Sequence, residues 1–296
     1  MKNIKIPGTG LILLSGIFWG LMGLFVRTFS AYGFGSAHVA FLRLGVGALI
    51  FAVIMLIKDR KLFHIKLRDL PIFLGLGVCS LSFFTVCYFK AIEMMSLASA
   101  AILLYTSPIW VMLMSALFFK EKLTGRKLLA LAMAFGGCVL VSGIDGGGMS
   151  MKALLCGLGA GFGYALYSIF GTVALRRYDT LTVTFYGFMF GALGCFAAGS
   201  PAALAASFAS APTATMLWFI PTAALVSAVI PYLAYTQGLK TVEAGKASVI
   251  ATIEPVVAAL VGIVLYHEVL SISAKLGIIL VLDAILLLNI KAKSPE

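Results

Sequence analysis

Ten apolar runs, each long enough to cross the hydrocarbon core of a bilayer, alternate along this chain with short polar links. They lie near residues 8–28, 36–57, 71–91, 97–118, 127–143, 152–173, 181–199, 214–238, 246–266 and 273–290. A spanning helix needs roughly 20 residues to traverse a core about 30 Å thick. The runs are apolar all round and rich in Leu, Ala, Gly and Phe, without the alternation that a lipid-facing strand requires. The pattern predicts an all-α polytopic membrane protein with ten transmembrane helices. The first run follows Lys2 and Lys5, as a signal core would. It is long for that role and no persuasive small-residue cleavage site follows, so it reads as a retained span.

The runs also repeat. Tyr88 to Thr124 lies over Tyr235 to Ser271 without a gap, at an offset of 147 residues, setting Pro108 on Pro255 and Glu121 on Glu268. Self-similarity at this scale points to duplication of a membrane unit. With five spans per copy the second copy enters the bilayer upside down, giving two inverted five-helix repeats, residues 1–146 and 147–296. The Asp145-Gly146-Gly147-Gly148 turn is the natural joint.

Composition excludes a water-soluble globule, with 61% hydrophobic and 11% charged residues. A net charge of +11 could suggest nucleic acid as a partner, but the basic residues sit at span ends. Counted by face, seventeen Lys and Arg fall on the side of both termini and four on the other, with Arg43 alone inside a span. The positive-inside rule then puts both termini in the cytoplasm of a cell-membrane protein. The same distribution supports the inversion: five basic residues follow span 2, whereas the equivalent link after span 7, Ser200 to Thr213, has none.

Inverted repeats suit a molecule that rocks one bundle against the other around a midplane site, and helix breaks near Pro108 and Pro255 would expose backbone groups there. Curvature alone is the competing account of both prolines. The segments KAIEMMSLASAAILLYTSPIWVMLMSALFFKEKLT and GLKTVEAGKASVIATIEPVVAALVGIVLYHEVLS, with Phe18-Trp19-Gly20 and Arg43, resemble the EamA-type members of the drug/metabolite transporter superfamily. The resemblance covers essentially the whole chain. It implies a ten-helix inner-membrane carrier, often an exporter of amino acids or other small metabolites, with substrate held between the halves.

Glu254 is the leading site residue. It lies eight residues beyond Lys246, about 12 Å along a helix, and an acid at that depth is by default functional. Its repeat equivalent is Ser107, so the acid breaks the symmetry of the scaffold. Proton coupling and substrate contact are the functional expectations; a neutral carboxyl bonded across helices, and drift of one copy, are the alternatives. Trp19, Tyr88, Tyr105, Tyr164, Tyr167 and Tyr235, with Pro108, Pro255 and Gln237, are expected to line the cavity, since tyrosines add a polar handle to an apolar wall. Trp110 and Tyr232 belong to the same aromatic set, and interfacial belts are the rival account of any one member.

Lys246, Ile250 and Glu254 fall on one helical face if the helix is continuous, which makes Lys246 a gate or a snorkelling lysine. Arg43 is expected to tie helix ends together, to snorkel outward or to bind a carboxylate. Glu121 and Glu268 read as gate or interface residues paired with neighbouring Lys122, Lys120 and His267. Asp283 in span 10 is either an oligomer contact or a lipid-facing polar defect.

Cys79, Cys87, Cys138, Cys156 and Cys195 form no CxxC pair and read as buried hydrophobes, neither disulfides nor metal ligands. Gly157, Gly159, Gly161 and Gly163, like Gly16 with Gly20 and Gly187 with Gly191, suit close helix packing and do not form a nucleotide loop. No Walker motif or catalytic signature is present, so no cofactor and no ATP drive are expected. The expected partners are a small-molecule substrate, the lipid bilayer and a proton as coupling ion. The function expected is secondary transport; an intramembrane enzyme or a lipid flippase is the alternative.

Overall fold

The computed structural model describes residues 6–95, 97–142, 150–267 and 271–289. The predicted joint at Asp145–Gly148, and with it the boundary between residues 146 and 147, lies outside them. Among the described residues ten apolar helices are long enough to cross a membrane, spans 1 to 10: Gly8–Ala31, Ser36–Lys58, Leu67–Met94, Ser99–Phe119, Gly125–Ser142, Met151–Leu175, Thr180–Ala198, Thr213–Gly238, Ala244–Leu265 and Ile272–Asn289. They match the expected runs to within a few residues, and no strand occurs among the described residues.

Packing follows the duplication. Span 2 lies along span 7 and span 5 along span 10, while span 3 packs on span 6 as span 8 packs on span 1. Exchanging the halves maps this set of pairs onto itself. Backbone geometry repeats as well. Lys120 and His267, at the ends of spans 4 and 9, are 147 residues apart and are the non-glycine residues with positive φ, 57° and 54°, among those described. Each is a left-handed C-terminal cap of its helix.

Both proline-bearing spans break. Span 4 divides into Leu97–Leu104 and Ser107–Phe119, and span 9 into Ala244–Ala251 and Ile253–Tyr266. A proline has no N–H and its ring clashes with the carbonyl four residues back, here Leu104 and Ala251, so the ladder is interrupted one turn upstream. Thr106 and Thr252 then turn their hydroxyls onto the Leu103 and Val249 carbonyls, each at 2.6 Å. Spans 1 and 6 seat their backbones on these breaks. A Cβ on Gly20 would come within 2.7 Å of the Glu254 carbonyl oxygen, and one on Gly161 within 2.7 Å of that of Leu103. The glycines therefore serve close helix approach, as their spacing suggests.

The uncharged link after span 7 is not a plain loop. It forms a short helix, Pro201–Ser210, with Pro201 in the first turn and the Ser200 hydroxyl accepting from the Ala203 amide. The helix lies across the end of the molecule opposite the termini. Its Ser207 and Ser210 hydroxyls donate to the Gly33 and Tyr32 carbonyls at 2.9 and 3.3 Å, and Phe208 meets Phe34 edge to face.

Candidate functional site

Side chains on a helix lean toward its N-terminus. Span 1 runs away from the terminal side of the molecule and spans 6 and 8 run toward it, so rings from the three helices converge between them. The Trp19 indole is the centre: its ring lies 5.1 Å from Tyr232, 5.3 Å from Tyr235 and 6.1 Å from Tyr164, centroid to centroid. Tyr167 stands 5.0 Å from Tyr232, edge to face. These separations fit the preferred geometry of aromatic pairs.

Two hydroxyls in this box are fixed by spans 6 and 8. Tyr167 bonds Thr236 at 2.8 Å, and Tyr235 bonds Ser168 at 2.9 Å. Trp19 Nε1 is buried and has no hydrogen-bond partner among the described residues. The cavity bounded by Trp19, Tyr164, Tyr167, Ser168, Tyr232 and Tyr235 measures about 10 Å³, room for a single water. In this conformation the box is collapsed, with an unused donor in its wall.

Glu254 lies beside it. The acid sits in the first turn of Ile253–Tyr266, where free amides and the helix dipole favour negative charge. Tyr164 and Arg43 both lie within electrostatic range of its carboxyl. Tyr88, Tyr105 and Tyr232 share that range. Phe84 links Tyr88 to the box, stacking on it at 5.9 Å and meeting Tyr164 at 5.4 Å. Ser107, the equivalent of Glu254, begins its helix segment in the same way and is buried. The duplication thus supplies two matched breaks, and one of them carries an acid. Pro108 and Pro255 are buried at these breaks.

Arg43 reaches across to span 8, where its Nε donates to the Ser227 hydroxyl at 2.8 Å and its Nη2 to the Ser227 carbonyl at 2.5 Å. It ties helices together, and it does so next to the acid.

Several expected placements are corrected. Gln237 is exposed and accepts from the Thr180 hydroxyl at 2.6 Å. It occupies the last turn of span 8, one residue before the helix ends at Gly238, and so belongs to the rim and not to the cavity wall. Lys246 and Glu254 do not share a continuous helical face, because span 9 breaks between them at Thr252. Lys246 remains on the terminal-side rim, near Glu243 and Lys127. Trp110 packs edge to face on Phe162, outside the box. Asp283, in keeping with either expectation for it, is exposed on span 10, whose buried face, including Gly277, Val281 and Ala284, packs against span 5. Glu268 lies outside the described residues.

Glu121 does more than form a pair with an adjacent lysine. Its carboxyl accepts from the Ala244 and Gly245 amides at 3.1 and 3.4 Å, capping span 9 from the end of span 4. Lys127 stands 3.8 Å from Glu121 and 2.5 Å from Glu243. Burial, with Glu243 adding like charge, raises the Glu121 carboxyl above the ordinary glutamate range. The terminal-side pieces of spans 4 and 9, Ser107–Phe119 and Ala244–Ala251, pack closely here. Their opposite-side pieces, Leu97–Leu104 and Ile253–Tyr266, have no comparable contact among the described residues.

Sequence reading missed Ser168, Thr236 and Ser227, whose hydroxyls hold the tyrosines and Arg43. Small hydroxyl residues inside an apolar run were the available signal, and many such residues bond only to their own helix, as Thr85 and Thr172 do here.

A model of the EamA-like transporter family matches the chain twice, over residues 6–143 and 151–290. An uncharacterized transporter of Archaeoglobus fulgidus is 29% identical over 283 residues, covering 95% of each chain. The pseudopaline exporter of Pseudomonas aeruginosa is 29% identical over 184 residues, covering 60% of this chain and 61% of its own. A solved crystal structure shares the fold with a TM-score of 0.78 over 95% of each chain, at 17% identity.

Proposed function

Because this chain belongs to the EamA-like transporter family, we propose that it is a secondary carrier of a small metabolite bearing an amino group, such as an amino acid, working by alternating access. The observation that carries this reading is the carboxyl of Glu254 set at a helix break beside a box of Trp19 and four tyrosines. Aromatic faces attract an ammonium group, and a carboxylate within the same space supplies its counter-charge. Arg43 offsets that acid from the other side, so the site as a whole suits a zwitterion better than a dication.

The transport cycle follows from the two rims. Glu121 and the packed ends of spans 4 and 9 close the terminal side, while the other ends of the same spans stand apart, so this conformation favours release on the side opposite the termini. Both termini are cytoplasmic by the distribution of basic residues, which makes that release export across the cell membrane. A proton taken up by Glu254 as the ammonium leaves would return the carrier and couple efflux to proton entry. No catalytic chemistry is assigned to the site.

The test is uptake into proteoliposomes of a panel of radiolabelled amino acids, with and without an imposed pH gradient. The expected result is uptake accelerated by the gradient, with acceleration lost in Glu254→Gln while the protein remains folded. Unchanged pH dependence in that variant sinks the coupling role, and absence of flux across the whole panel sinks the substrate class.

A further inference from the structure

Spans 3 and 8 each contain a π-helical stretch, Gly75–Ser82 and Leu225–Val229. Displaced by the repeat offset of 147, the second falls on Val78–Ser82, inside the first. Ser80 and Ser227 are equivalent and both are buried. A π turn inserts a residue into the ladder and leaves backbone groups in need of a new partner.

The two copies meet that need differently. In span 3 the Ser82 hydroxyl lies 3.2 Å from the Gly77 carbonyl and 2.9 Å from the Gly191 carbonyl. In span 8 the donors come from the other half of the molecule: Arg43 donates to the Ser227 carbonyl and hydroxyl, and that hydroxyl in turn donates a hydrogen bond to the Ala223 carbonyl at 2.5 Å. At the equivalent place in span 3 no arginine bonds Ser80 among the described residues, and the Ser80 hydroxyl is buried without a partner there. The arginine is therefore specific to the stretch that precedes Tyr232 and Tyr235.

A π turn also fixes register. Relaxation of the inserted residue into regular α-helix would rotate everything beyond it by about 100° relative to the start of the helix, one residue's worth of turn. Tyr232 and Tyr235 would then swing off Trp19. We propose that Arg43 is a positioning residue that pins the π stretch of span 8 and so aims Tyr232 and Tyr235 at Trp19. The proposal takes the aromatic box as the substrate site, but its test uses no substrate and therefore fails or succeeds independently of that reading.

The chain has three tryptophans, at positions 19, 110 and 218, so Trp110→Phe with Trp218→Phe leaves Trp19 as the sole reporter. In that background Arg43→Met is expected to raise acrylamide quenching of Trp19 about twofold, as local packing opens. Arg43→Lys, able to donate to the Ser227 carbonyl, recovers at least half of the change, and Ser227→Ala stays near the parent because the carbonyl bond is main-chain. Asp69→Asn, which breaks the Asp69 contacts to Arg177 and Tyr178 at the rim, lowers the melting temperature without moving Trp19 quenching. Should Arg43→Met not fold, Arg43→Gln is read in its place. Trp19 quenching unchanged in the folded Arg43→Met variant, or in Arg43→Gln where that one is read, or a lysine that recovers nothing, overturns the proposal.

Discussion

Gly20 and Glu254 touch through backbone: a methyl group on Gly20 would stand 2.7 Å from the Glu254 carbonyl oxygen and 2.6 Å from Val257 Cβ. Span 1, which carries Trp19, therefore rests directly on the helix segment that carries the acid. The two cannot move apart independently of the box, and the contact is intolerant of bulk. Gly20→Ala is expected to cost about 1–3 kcal/mol through overpacking, read as a lowered melting temperature in detergent. Gly23→Ala, with open space around it, is the matched control and should leave the melting temperature where it is.

The Tyr235 and Ser168 hydroxyls form a buried pair at 2.9 Å. Tyr235→Phe and Ser168→Ala should each destabilise the protein by about 1 kcal/mol, leaving the other hydroxyl unpaired. The double variant should lose less than the sum, since the second removal deletes a group already without its partner. Thermal unfolding of the four proteins closes that cycle.

Access to the acid should be one-sided. Tyr88 and Tyr105 are partly exposed, whereas Met112, packed beside Gly245 at the closed rim, is 2% exposed. In a protein whose native cysteines are replaced, Tyr88→Cys and Tyr105→Cys should react with a membrane-impermeant maleimide added to the side opposite the termini. Met112→Cys should resist the same reagent from the terminal side until the carrier changes conformation.

Glu121 gives a pH dependence with a definite sign. Its carboxyl holds a proton more tightly in the folded protein than an ordinary glutamate does, so it contributes stability at low pH that is lost as pH rises through the raised value. Relative to Glu121→Gln, the wild-type melting temperature should climb as pH is lowered from neutral toward about 5, just above the ordinary glutamate range. An equal response in both proteins would place the titration elsewhere.

The spans were legible because an apolar run of this length has few other fates, and the inverted duplication because Pro108 with Pro255 and Glu121 with Glu268 kept their spacing. The depth of Glu254 could be counted along its helix. What a one-dimensional count does not contain is azimuth: Gln237 lies two residues from Tyr235, yet the tyrosine enters the box and the glutamine meets Thr180 on the rim. The break at Thr252 removed the straight helix that would have aligned Lys246 with Glu254. The π stretch Leu225–Val229 contains no proline or glycine of its own, and Pro221 and Pro231 on either side of it read equally well as ordinary kinks, so the register of Tyr232 was not readable. The helix Pro201–Ser210 was hidden because its partners, Gly33, Tyr32 and Phe34, are far away in sequence.

The two ends of the molecule are fastened with different materials. On the terminal side the fastenings are ionic: Glu121 and Glu243 with Lys127, Asp69 with Arg177, and Asp179 with Lys240. On the other, the described fastenings include serine hydroxyls on carbonyls, the contact of His38 with the Ser200 carbonyl, and edge-to-face phenylalanines. Dissolved salt screens exposed ion pairs and leaves neutral contacts largely alone. The Lys240–Asp179 pair, about a third exposed on each partner, should thus loosen as salt rises on the terminal face, so that the electrolyte in that compartment shifts the balance between open and closed forms.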